Sequence, residues 1–113
     1  MLKTERTSEN VLVIRIEGRL DGVSRATVEP AIISELQSVP CAIVDLSGVP
    51  FIGSEGLRLL LMLRRRPGSA RMLLCNMQGH VREVFEISGL LPLFDVFAAR
   101  DEAEHAARSH SPS

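Results

Sequence analysis

Ser54 occupies the place in this chain where a side chain could do chemistry. It ends the run Asp45-Leu46-Ser47-Gly48-Val49-Pro50-Phe51-Ile52-Gly53 and opens the leucine-dense Glu55-Gly56-Leu57-Arg58-Leu59-Leu60-Leu61. A serine nucleophile on a Gly-x-Ser-x-Gly elbow needs glycine two residues upstream, and Ile52 stands there. None of His80, His105 and His110 is spaced to complete a triad. Cys-x-x-Cys, His-Glu-x-x-His and Gly-Lys-Ser/Thr are all absent, so no metal and no cofactor is expected. A phosphoaspartate receiver needs an acidic pair after its first strand and a lysine after its last long one. Here Gly18-Arg19 follows Glu17, and that lysine is missing. The expectation is a binding protein and not an enzyme.

The elements around Ser54 explain how a hydroxyl could be presented. Cys41 to Leu46 is apolar, with β-branched Ile43 and Val44, and reads as a strand over Cys41–Asp45 buried on both faces. A loop containing Gly48, Pro50 and Gly53 follows. Ser54 can then cap a helix by accepting from a free amide of its first turn. That places the hydroxyl at the carboxyl edge of a parallel sheet, where open α/β sheets meet ligands and partners. Asp45 is expected to serve the loop's backbone amides.

Along the chain, Leu2–Thr7 and Val11–Glu17 read as strands able to pair as a hairpin across Ser8-Glu9-Asn10. Val28, Ile32 and Leu36 mark a helix running to about Ser38. Its cap is Ser24, which would leave Pro30 to kink it, or Thr27, which would place Pro30 near its start. The helix after Ser54 should end with Arg64-Arg65-Arg66 in its last turn, stopped by Pro67-Gly68, and this basic run reads as a solvated helix end. Arg71–Cys75 is a short buried strand. Asn76 is a candidate cap for a helix with Met77, Val81, Val84 and Phe85 at helical spacing, closed by a left-handed Gly89. Leu90–Leu93 reads as a loop, Phe94–Phe97 as a last strand, and Asp101 as the cap of a helix to about Arg108.

The order β-β-α-β-α-β-α-β-α gives a single α/β domain over residues 1–108. Its sheet has about five strands, mostly parallel, with one antiparallel edge strand. Residues 109–113 read as a disordered tail. If the strands ending in Cys75 and beginning at Cys41 are parallel neighbours, the sulfurs lie at opposite ends, beyond the roughly 7 Å a bridge allows. Two reduced thiols are expected.

Asp-Leu-Ser-x-Val-x-Phe-Ile-x-Ser-x-Gly-Leu, from Asp45 to Leu57, resembles the signature of STAS domains, in particular bacterial anti-sigma factor antagonists. Gly18-Arg19-Leu20-Asp21 resembles the Gly-x-Leu-Asp after that family's second strand. Val81–Leu90 resembles its third helix and closing Ser-Gly-Leu. The resemblance spans nearly the whole chain and implies the STAS fold, with the last helix packing near the first. It places the family's phosphoacceptor serine on Ser54 and implies a partner-binding surface of Asp21, Gly53, Ser54, Glu55 and Gly56. Asp21 reads equally as a turn or capping residue, and Gly53 and Gly56 equally as residues that serve the turn. The implied partners are an anti-sigma factor with serine-kinase activity and a PP2C-type phosphatase. Unmodified protein would bind the anti-sigma factor and free a sigma factor; phosphorylated protein would not. The family commonly has Asp where Gly53 stands and a small hydroxyl residue where Glu55 stands. The alternative is a STAS subunit of a membrane transporter complex or signalling scaffold, with Ser54 as a contact only.

Composition agrees with a globular binding module. Of 113 residues, 45% are hydrophobic and 24% charged, enough to build a core, and the net charge is −1, so no basic field exists for nucleic acid or an anionic membrane. The longest apolar run, Leu59–Leu63, is too short to span a bilayer, and no signal-peptide core follows Met1-Leu2-Lys3. A cytoplasmic location is expected; the oligomeric state is left open.

Overall fold

The computed structural model describes residues 2–7, 10–37, 39–66 and 71–109. Its elements follow the expected order: β1 (Leu2–Arg6), β2 (Val11–Glu17), α1 (Gly22–Leu36), β3 (Cys41–Gly48), α2 (Ser54–Arg65), β4 (Arg71–Cys75), α3 (Gly79–Ile87), β5 (Asp95–Phe97) and α4 (Arg100–Ser109). The sheet order is β1-β2-β3-β4-β5. β1 pairs antiparallel with β2, and every other neighbour is parallel.

Side-chain alternation splits the core between the two faces of the sheet. Leu12, Ile14 and Ile16 of β2, Ala42, Val44 and Leu46 of β3 and Leu74 of β4 lie under α1, α2 and α3. Those helices contribute Val28, Ile32, Leu59, Leu60, Leu63, Val81 and Phe85. The intervening residues Val11, Val13, Cys41, Ile43, Leu73 and Cys75 point the other way and are covered by Ala103, Ala106 and Ala107 of α4. The resemblance had implied a last helix near the first. Instead α4 packs on β3, β4 and β5, on the face opposite α1. Its alanines let the helix axis approach that face closely, and Arg100 ties its start to Glu5 of β1 at 3.0 Å.

Both cysteines are free and buried, with Cys41 paired in register to Arg71 and Cys75 to Asp45, at opposite ends of the adjacent strands. Burial pushes the Cys75 thiol up to about 12, so it stays protonated and inert.

Helix starts differ from the sequence expectation. α1 is capped by Asp21, and Ser24 is the third helical residue of a capping box: the Ser24 amide donates to Asp21 Oδ1 at 3.1 Å, and Ser24 Oγ accepts from the Asp21 amide at 2.9 Å. Pro30 therefore lies deep inside α1. Both Pro30 and Ala26 are exposed, so solvent can serve the Ala26 carbonyl that Pro30 leaves without a donor. Asn76 does not cap α3; it is a left-handed linker with φ 59°, and Gln78 is the cap. Asp101 lies inside α4, one residue past its start. Gly89, at φ 75°, closes α3 in a Schellman motif, with Leu90 N–H donating to Phe85 O and Gly89 N–H to Glu86 O. Leu91–Leu93 forms a 3-10 turn where a loop was expected. The Pro67-Gly68 stop and residues 110–113 of the expected tail lie outside the described residues, and Ser109 belongs to α4.

Candidate functional site

Two loops meet at the carboxyl edge of β2 and β3 and are stitched by backbone bonds. Gly18 N–H donates to Gly48 O at 2.8 Å, Leu20 N–H to Phe51 O at 3.0 Å, and Gly53 N–H to Leu20 O at 2.9 Å. Leu20 and Ile52 form a parallel bridge. The starts of α1 and α2 are thereby held side by side, and a Cβ on Gly22 would lie 3.6 Å from Glu55 Cγ.

Gly53 is the N-cap of α2, and Ser54 is its first helical residue. The expected capping role of Ser54 is therefore corrected. The extended backbone of Gly53 is fixed by its bond to Leu20, so its carbonyl takes the first helical bond from Leu57 N–H at 3.0 Å. No side-chain cap bond forms, and Ser54 is exposed. A serine that caps nothing should be dispensable for folding. Ser54→Ala is expected to change stability by no more than about 0.5 kcal/mol, against about 1 kcal/mol for a working cap. Chemical denaturation of the two proteins checks this.

The other implied residues divide into surface and support. Asp21 is half-buried beside Gly53. The Ser24 amide first of all, and then the Ser24 hydroxyl and Arg19, hold its carboxyl below the ordinary 3.8 against some desolvation. Glu55 does not stand as an unbalanced charge beside Ser54. Its Oε1 accepts from Arg25 Nη1 at 2.7 Å and its Oε2 from Arg58 Nη1 at 3.2 Å. Gly53 is half-buried with ordinary room around it: a Cβ there would lie 3.5 Å from Phe51 Cε2. Gly56 is buried, and a Cβ there would stand 2.5 Å from Leu20 O. Gly56 lies inside α2 and not in a turn, and it serves the packing of that helix against the neighbouring loop.

Beneath the loop, Asp45 is 5% exposed. Its Oδ1 accepts from Ser47 N–H at 2.9 Å and from Asn76 Nδ2 at 3.2 Å, the amide-serving role expected of it. Burial works against its charge, but these donors and Arg15 more than offset that and hold its pKa below 3.8. The sign follows. A folded pKa below the unfolded one stabilises the protein above the unfolded value, and this is lost as pH falls through the folded value. Asp45→Ala should cost about 2 kcal/mol at neutral pH by leaving two donors unmet. Asp45→Asn should flatten part of the acid loss in denaturant titrations taken down to about pH 2. Asp21, shifted the same way, keeps its own share.

Sequence reasoning missed a stack at the same edge. The Arg19 guanidinium lies 4.3 Å over the Phe51 ring, and Phe51 stacks on His80 with centroids 5.6 Å apart. It also missed Val23, 83% exposed in the first turn of α1 beside Asp21. The stack joins two loops and the first turn of α3, which no local spacing reports. Val23, falling between Gly22 and Ser24, gave no periodic signal.

The STAS domain family model matches residues 3–103. The chain belongs to the STAS domain family. BtrV of Bordetella bronchiseptica, whose name assigns it provisionally to the anti-sigma factor antagonists, is 30% identical over 107 residues, covering 92% of each chain. A crystal structure of an anti-sigma factor antagonist from Mycobacterium paratuberculosis superposes with a TM-score of 0.86 at 26% identity, over 96% of this chain and 94% of that one. The anti-sigma factor antagonist SpoIIAA in its unphosphorylated form gives a TM-score of 0.77 at 27% identity, over 98% and 99% of the two chains. The Bacillus protein of that name in its phosphorylated form gives 0.69 at 27%, over 96% and 100%. Among the described residues no helix is long and apolar enough to cross a membrane.

Proposed function

We propose that this protein is an anti-sigma factor antagonist whose docking surface is centred on Ser54. The observation that carries the reading is an exposed serine hydroxyl, without a cap bond, at the first position of α2 on the open edge of a STAS sheet. Asp21, beside Gly53, and the exposed apolar Val23 of the first turn of α1 extend this surface. Unmodified protein binds an anti-sigma factor with serine-kinase activity and so frees a sigma factor. In the switching step Ser54 Oγ takes the terminal phosphoryl group of a nucleoside triphosphate, its proton leaves and the diphosphate departs. A PP2C-type phosphatase returns the hydroxyl by hydrolysis. The protein is substrate and ligand in this cycle, with no turnover of its own, in the cytoplasm, and residues 1–108 form the working domain.

Likeness to SpoIIAA, solved in both phosphorylation states, supports the switch. The local charge balance supports it too, because Arg19, Arg25 and Arg58 stand against Asp21, Glu29 and Glu55. Purified protein mixed with the anti-sigma kinases of its host tests the proposal. A complex with wild type that Ser54→Asp loses is the expected result. Undiminished binding by Ser54→Asp would remove the switch. Stable co-purification with a membrane transporter and no anti-sigma complex would favour the transporter-subunit alternative.

A further inference from the structure

We infer that Arg58 is an intramolecular phosphate-binding residue: once Ser54 carries a phosphoryl group, the Arg58 guanidinium leaves Glu55 and pairs with the phosphate, while Glu55 stays with Arg25. Ser54 and Arg58 are the first and fifth residues of α2. That i, i+4 spacing puts their Cβ atoms about 5–6 Å apart on one face of the helix. Arg58 holds Glu55 at 3.2 Å with its own side chain 72% exposed, so the existing pair is loose and solvated. Arg25 holds the same carboxylate at 2.7 Å, is only 22% exposed, and is further fixed by Glu29 at 2.8 Å and Met62 Sδ at 3.8 Å. Glu55 therefore has two guanidinium partners, one half-buried and one exposed. Releasing the exposed one leaves no orphaned charge.

A phosphate presents more charge and more acceptor oxygens than a carboxylate, in a geometry that suits the planar guanidinium fork. The rival cation is Arg19 on the neighbouring loop, also exposed at 65%, but it would have to give up both the Phe51 ring, 4.3 Å away, and Asp21 at 3.5 Å, where Arg58 gives up Glu55 alone. The charged groups around the phosphate are thus Arg19 and Asp21 from the β2–α1 connection, Arg25 and Glu29 from α1, and Glu55 and Arg58 from α2. The consequence is a double change from one modification. The docking surface gains an anion and loses an exposed cation that a partner could contact.

The use of this exchange in the cell rests on Ser54 being the phosphoacceptor; its geometry does not. The test therefore installs phosphoserine at position 54 during translation of the full chain, so a protein that no kinase modifies still gives an answer. Phosphorus NMR then follows the second ionisation of the phosphate at low salt in wild type, Arg58→Ala, Arg58→Lys and Arg19→Ala backgrounds. The ionisation is expected about half a pH unit lower in wild type than in Arg58→Ala, with partial recovery in Arg58→Lys and collapse of the difference in about 0.5 M salt. The Arg58 side-chain N–H resonance should move on phosphorylation and stay put in Ser54→Ala. An ionisation unchanged by Arg58→Ala, or one moved by Arg19→Ala instead, would overturn the assignment.

Discussion

Phosphorylated at Ser54, the protein is expected to bind its anti-sigma factor about a hundred- to a thousand-fold more weakly than the unmodified form, as an uncompensated charge at an interface costs several kcal/mol. Ser54→Ala is expected to bind within a few-fold of wild type. The contrast follows from where the hydroxyl sits. It is exposed, it caps nothing, and the charges around it are already paired, so the unmodified surface presents little net field to a partner. A phosphate adds roughly −1.5 to −2 charges at that point. Arg58 can answer at most one of them, and in doing so it gives up its own place on the surface. The remainder must be desolvated against the partner. The fold pays little, because an anion in the first turn of a helix is favoured by about 0.3–1 kcal/mol. Calorimetric titration of both forms against the same anti-sigma factor, with melting curves alongside, separates the two effects. Equal affinities would remove the switch; a matching fall in melting temperature would make the loss one of folding instead of docking.

Much of this was legible in the chain because it is written in local pattern. β2 and β4 fall on the expected residues, Val11–Glu17 and Arg71–Cys75, since each is an apolar run bounded by turn residues. Asp45 was readable in role but not in place: β3 runs three residues beyond the expected end at Asp45, to Gly48, yet the carboxylate still serves the Ser47 amide. Helix starts were mostly not readable: Asp21, read as a turn or capping residue, does cap α1, but the other candidates fail. Ser24, Ser54, Asn76 and Asp101 are all capping types, yet none is an N-cap here. The cap is whichever residue has extended backbone before the first helical bond, and at α2 a long-range bond from Gly53 to Leu20 makes that choice. The side of the sheet taken by α4 was hidden as well. β3 is buried on both faces, so its sequence cannot say which helix covers which. The Arg19–Phe51–His80 stack depends on two loops meeting the start of α3 in space, which only the assembled sheet arranges.

That meeting of loops makes Gly56→Ala the most damaging small substitution near the site. On an exposed helix the change would gain about 1 kcal/mol of helix propensity. Here the new methyl would stand 2.5 Å from Leu20 O, 2.8 Å from Ile52 Cγ1 and 2.9 Å from Leu20 Cγ. The oxygen is backbone, and it already accepts from Gly53 N–H at 2.9 Å, so it cannot swing aside as a side chain would. Either α2 lifts or the Leu20–Ile52 bridge opens. Overpacking of this kind should cost about 1–3 kcal/mol net. The same displacement parts Asp21 from Gly53 and tilts Ser54, so docking should weaken in folded protein too. Gly53→Ala is the control. Its Cβ would meet Phe51 Cε2 at 3.5 Å, an ordinary contact, and should cost no more than about 1 kcal/mol through a poorer cap. Denaturant midpoints for the two variants decide the matter. A Gly56→Ala protein as stable as wild type would mean that the Leu20 loop yields easily, and the two loops would then not hold Ser54 and Asp21 in fixed relation.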